Sequence, residues 1–217
     1  MANNKSALDF FIKLAKKSSN PQSALNLGLG DKTLLDAQFL EPFLNTDSNL
    51  LDVGSGSGLL LKHIYKKVGK ITAVEPLKEY SRFIPPADNI QVVNQEIQNF
   101  TCTDRFELIT CFGIVQYFNI EEISSVYLKL FEYCLPGGRI IIKNQFGVQK
   151  AVLIDHFSTE LNENYFSHYR TTKEEIDLLS KVGFTDFPVQ DIYPPECNRW
   201  DDTHFYAISA RKPWRFL

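Results

Sequence analysis

Hydrophobic positions along the chain switch repeatedly between two periods. Between residues 6 and 17 they recur at helical spacing, through Ala7, Leu8, Phe10, Phe11, Ile12 and Leu14, and lysines gather at the carboxyl end, where they suit the helix dipole. A short amphipathic helix is predicted there. Residues 18–26, with Pro21, break the pattern, and Asp31 or Thr33 caps a second helix whose end near Phe43 is marked by Pro42. From Asn49 onward, runs typical of strands (49–53, 70–75, 90–94, 106–112 and 138–144) alternate with helical patterns at 58–68, 77–83 and 120–134. Such alternation means a parallel sheet with crossover helices on both faces. Leu135-Pro136-Gly137-Gly138 stops one helix and leads into Arg139-Ile140-Ile141-Ile142-Lys143, a continuous apolar run suited to a strand covered on both sides. After a polar and aromatic stretch at 145–170, a helix at 172–182 ends at Gly183. Strands at 184–192 and 203–211 then form an antiparallel pair around a long loop, 194–202.

The expected fold class is therefore α/β, a doubly wound, mostly parallel sheet with helices on both faces and a helical extension before it. No repeat or linker divides the chain, so one domain is expected over residues 1–217: an extension at 1–46, packed on the sheet edge or serving as a lid, and an α/β core at 47–217. At 217 residues, 44% hydrophobic, the chain can bury a full core. A net charge of −3 argues against a general attraction to nucleic acid or anionic membrane, which leaves small molecules as the expected partners. Cys102, Cys111, Cys134 and Cys197 form no CxxC pair and read as reduced thiols rather than a metal site. With no signal-peptide pattern and no apolar run near bilayer length, a cytoplasmic location without membrane insertion is expected. The oligomeric state is left open.

The chemistry starts at Leu51-Asp52-Val53-Gly54-Ser55-Gly56-Ser57-Gly58, a strand running into alternate glycines and then a helix. Glycines permit positive φ and close approach of a ligand to bare backbone, and a helix start offers unpaired N–H groups. A dinucleotide turn would need a third small residue where Leu59 stands, and a triphosphate loop would need a Gly-Lys-Ser/Thr that does not follow. Glu75, at the end of the next strand, is placed to accept both hydroxyls of a ribose.

With these residues the chain resembles the class I S-adenosylmethionine-dependent methyltransferases. Residues 51–58 are similar to that family's first motif, Ala73-Val74-Glu75-Pro76 to its ribose-binding motif, and Gln91-Val92-Val93-Asn94-Gln95-Glu96-Ile97 to its adenine segment. Residues 106–118 are similar to its fourth strand and the turn after it, with Gln116 where many members carry His, and 135–142 to the entry into its fifth. The resemblance implies a seven-stranded sheet whose last strand is antiparallel, and S-adenosylmethionine as cofactor. It also implies a cofactor site of Asp52, Gly54, Ser55, Gly56, Gly58, Glu75, Pro76, Glu96, Ile97, Cys111 and Phe112.

Methyl transfer from a sulfonium is an in-line displacement that needs orientation and a dry site, and no metal. The stretch after the fourth strand, Cys111-Phe112-Gly113-Ile114, lacks the Asn/Asp-Pro-Pro-Tyr/Phe of adenine or glutamine N-methylation. The expected acceptor is a small molecule methylated at oxygen, a sugar or a biosynthetic intermediate. Its contacts are sought in 145–170, with His156 and His168 as candidate bases, in Lys143-Asn144-Gln145, and in Arg199-Trp200-Asp201. Two other readings stay open: a methyltransferase-like binding module without turnover, and a nicotinamide-dependent oxidoreductase.

Overall fold

Leu51 and Val53 point to one side of the first strand and Leu50 to the other, and the whole sheet is built on this alternation. The computed structural model describes residues 4–17, 19–20, 31–158, 163–197 and 200–214. Two helices, α1 (Asn4–Lys17) and α2 (Thr33–Leu40), precede β1 (Asn49–Val53), α3 (Leu59–Ile64), β2 (Lys70–Val74), the single turn α4 (Lys78–Ser81), β3 (Ile90–Val93) and β4 (Phe106–Phe112). There follow α5 (Ile120–Tyr133), β5 (Cys134–Gly147), β6 (Val152–Ser158), β7 (Glu163–Tyr169), α6 (Thr172–Val182), β8 (Val189–Asp191) and β9 (Thr203–Arg211). Seven strands form one sheet in the order β3-β2-β1-β4-β5-β9-β8. Neighbours from β3 through β5 are parallel, and β9 runs antiparallel to both β5 and β8.

Both faces of this sheet are covered. On one, Leu51, Val53, Ile109, Ile140 and Ile142 pack with Ile123 and Leu130 of α5 and Leu179 of α6. On the other, Leu50, Ile71, Leu108 and Ile141 pack with Leu40 of α2 and Leu61 and Ile64 of α3. The helices start where the sequence provides caps: Asn119 with Glu122 and Thr171 with Glu174 form capping boxes at α5 and α6.

Three sequence readings need correction. The fifth strand begins at Cys134 rather than 138, because Gly137 and Gly138 do not turn the chain out of the sheet but pair with Lys212 beyond β9 (2.9 Å in each direction). The strand expected at 184–192 shrinks to Val189–Asp191, since Asp186 has φ of 58° and Pro188 lacks an N–H. The stretch 145–170, assigned no element from the sequence, holds a separate antiparallel hairpin of β6 and β7, in which His156 pairs with Tyr165 and His168 with Leu153. Among the described residues, no helix is long and apolar enough to cross a membrane.

Candidate active site

The turn after β1 is fixed by β2. Gly54 and Ser55 donate their N–H groups to the Val74 carbonyl (2.8 and 3.2 Å), so the chain leaves the sheet directly beside Glu75. Gly54, Gly56 and Gly58 all have positive φ (75°, 54° and 72°), yet they serve different ends. A Cβ on Gly54 would lie 2.3 Å from Ile114 Cγ2, and one on Gly58 would lie 2.8 Å from the Ile84 backbone. At Gly56 the nearest atom would be 4.0 Å away, so this glycine alone of the three presents open backbone.

Glu75 closes the other side of that opening. Its carboxylate accepts from the N–H groups of Gly56 (2.9 Å) and Leu77 (3.0 Å), and Asn94 holds its carbonyl through Nδ2 (2.9 Å). Burial pushes the Glu75 carboxyl up to about 7, against the pull of the two N–H bonds and with a smaller push from Asp52.

From this point a cavity of about 340 Å³ runs along the carboxyl ends of β1, β2, β4 and β5 as far as Phe205 of β9. Its roof comes from elements outside the main sheet. Phe11 of α1 meets Tyr117 and Tyr80 edge-on (5.0 and 6.5 Å between rings), Phe10 meets Tyr165 of β7 (5.5 Å), and Asn4 reaches Glu122 at the start of α5. The hairpin is tied down by Arg170, whose guanidinium donates to Glu175 (2.6 Å), the Phe118 carbonyl (3.0 Å) and the Val115 carbonyl (2.8 Å); Tyr127 completes the network through Glu175.

The structure divides the residues singled out in the sequence. Gly54, Gly56, Glu75, Pro76, Glu96, Ile97 and Phe112 line the cavity. Asp52, Ser55, Gly58 and Cys111 do not. Asp52 is buried behind the turn and accepts from the Thr110 hydroxyl (2.6 Å), with burial raising its pKa. Ser55 donates to the Asp52 carbonyl (3.0 Å), Gly58 starts α3, and Cys111 lies in the core, its thiol pushed well up by burial. His168 stands between Tyr165 and Tyr169 at the even position of a strand whose odd positions face the cavity, opposite the exposed Leu153. Burial and the charge of Arg170 lower its pKa. The His156 side chain and Arg199 lie outside the described residues.

The matching family model, described as a methyltransferase domain, aligns with residues 29–188. The chain belongs to the class I S-adenosylmethionine-dependent methyltransferases. A ubiquinone biosynthesis O-methyltransferase of Rickettsia felis is 20% identical to this methyltransferase over 184 residues, covering 75% of this chain and 73% of the relative. Among solved structures, the DhpI–S-adenosylhomocysteine complex superposes with a TM-score of 0.74 at 15% identity, covering 99% of this chain and 98% of that one. The Burkholderia thailandensis 1,6-didemethyltoxoflavin-N1-methyltransferase, solved with that compound and S-adenosylhomocysteine, superposes with a TM-score of 0.66 at 18% identity, covering 83% and 78%.

Beyond Phe112, sequence reasoning named Lys143, Asn144 and Gln145 of the methyltransferase's cavity wall, and the stretch 145–170, but not which aromatic side chains face the cavity. Tyr117, Tyr165, Tyr169 and Phe205 line it, with Gln116, Lys143, Asn144 and Gln145. The signal for the last three was their position at the carboxyl end of β5. For Tyr165 and Tyr169 no local signal existed, because their facing depends on the hairpin register.

Proposed function

We propose that this methyltransferase moves a methyl group from S-adenosylmethionine to an oxygen of a small acceptor held at the β4–β5–β9 end of the cavity. The observation that carries the reading is the pairing of Gly56, open to the cavity, with Glu75, whose buried carboxylate faces the same space. In this reading the Gly54–Gly56 backbone takes the methionine portion, Glu75 the ribose hydroxyls, and Pro76, Glu96 and Ile97 surround the adenine. Phe112 separates cofactor from acceptor. The bound cofactor supplies an electrophilic methyl carbon, and the chain supplies orientation and exclusion of water.

Cavity size and lining support a small acceptor: about 340 Å³, roofed by α1 and β7 and walled by aromatic rings, falls in the range of small-ligand sites. One named relative is an O-methyltransferase and another an N1-methyltransferase, so the preference for oxygen rests on the cavity itself, where Lys143 is a cationic donor and Glu75 and Glu96 lie at the cofactor end. His168 has no part in this chemistry, since its neighbours Tyr165 and Tyr169 occupy the facing positions. Calorimetry with S-adenosylhomocysteine tests the reading: binding is expected, and loss of it in both Gly56→Val and Glu75→Ala. Retained affinity in those folded variants contradicts the assignment.

A further inference from the structure

We propose that the acceptor is an acid, and that its anionic oxygen, the one methylated, is held by Lys143. This rests on the methyl-transfer reading above and names the substrate class of the same site. Lys143 leaves the carboxyl end of β5, its side chain is 12% exposed, and among the described residues it is the one Lys or Arg lining the cavity. Its ammonium is held from behind: Asp36 Oδ2 of α2 lies at 3.1 Å and the Tyr193 hydroxyl at 3.0 Å, while neither Asp36 nor Tyr193 lines the cavity. Tyr193 gives its own proton to Asp36 Oδ1 (2.6 Å), so its oxygen is left to accept from Lys143. The ammonium is thereby bonded to Tyr193 and paired in charge with Asp36, and the described residues offer it no further hydrogen-bond partner. The same ammonium sits 5.2 Å from the Phe112 ring centre, next to where the cofactor and acceptor meet.

An acid acceptor also removes the need for a base. An oxygen lone pair of the carboxylate or phosphoryl group attacks the methyl carbon as the carbon–sulfur bond breaks and its electron pair stays on sulfur. The oxyanion becomes a neutral ester or loses one negative charge, the sulfonium becomes a neutral thioether, and no proton moves. Before transfer the anion lies between two cations, and afterwards its hold on Lys143 weakens, which favours product release.

The test uses the full chain saturated with S-adenosylhomocysteine, titrated with benzoate and phenylphosphonate and with the neutral analogues benzamide and benzyl alcohol. The acids are expected to bind at least about tenfold more tightly than the neutral pair, Lys143→Met to abolish that preference, and Lys143→Arg to keep it. The stronger of the two acids distinguishes a carboxylate from a phosphoryl acceptor. Equal affinity for acids and neutral analogues, no binding of either acid at millimolar concentration, or an undiminished preference in Lys143→Met overturns the proposal. If Lys143→Met does not fold, the wild-type comparison and Lys143→Arg still decide. S-adenosylhomocysteine binding is measured first in the same series, so its absence strikes the methyl-transfer reading, whereas its presence without acid preference strikes the acid acceptor alone.

Discussion

Glu75 shows how one residue couples protonation to binding. Burial holds its carboxyl near pKa 7, but two ribose hydroxyls can both donate only to the ionised form. Below pH 7 the free protein is mostly protonated at this group and must release that proton on binding, so affinity rises as pH increases from 6 to 8. Calorimetry of S-adenosylhomocysteine in buffers of different ionisation enthalpy should show proton release at pH 6 that fades by pH 8, with a flat profile in Glu75→Gln. The sign for folding is the opposite. A carboxyl raised from 4.5 to about 7 in the folded state favours folding fully below 4.5, and that contribution is lost as pH rises through 7. The ligand-free protein should therefore lose stability over this window, by less in Glu75→Gln, which thermal melts at pH 6 and 8 would read. The three glycines make a second contrast. Gly54→Ala drives a methyl group into Ile114 and should destabilise the fold by several kcal/mol, whereas Gly56→Ala meets only the backbone strain of positive φ, about 1–2 kcal/mol, and should chiefly weaken cofactor binding. Denaturant melts alongside calorimetry separate the two. In the sequence these glycines look alike, because the contacts of Ile114 and Ile84 that distinguish them come from distant segments.

At the scale of elements, the β6–β7 hairpin is what the sequence concealed. Its strands mix aromatic and polar residues, and Leu153 and Phe157 of β6 stay exposed, so no clean two-residue alternation marks a buried face. Register decides which residues matter: Tyr165 and Tyr169 turn inward and His168 outward, and a shift of one position would have exchanged them. That register is anchored by Arg170, fully buried with Glu175 and bonded to the two carbonyls of the loop that carries Gln116 and Tyr117. Arg170→Met leaves Glu175 buried without its cation and should cost about 3–5 kcal/mol in urea denaturation. Adding Glu175→Leu should recover a large part of it. If the single variant is as stable as wild type, the hairpin is not held by this pair.

Across the whole molecule, legibility follows the range of the forces involved. The parallel sheet was legible because each βα unit declares itself locally, through Val53-Gly54, Val74-Glu75 and the apolar run 140–142. The cavity was not, because its roof joins α1 to β7 across more than 140 residues of sequence, through Phe10 on Tyr165, and to the turn after β4 across about 100, through Phe11 on Tyr117. The small cluster of Ala15 with Leu77 and Tyr80 that seats α1 is separate from the two clusters that hold the sheet. Removing residues 1–17 should thus leave a folded α/β core whose site is open to solvent. Ligand linkage gives this a magnitude: S-adenosylhomocysteine at 100 times its Kd stabilises the full chain by about 2.7 kcal/mol, or about 5–10 °C in Tm for a domain of this size. The truncated chain at the same ligand concentration should gain less than about 2 °C, because a cofactor without its roof of Ala7, Leu8 and Phe11 is bound more weakly. Equal shifts in the two chains would mean that α1 serves only the acceptor side, and that the Gly56–Glu75 end holds the cofactor without help from it.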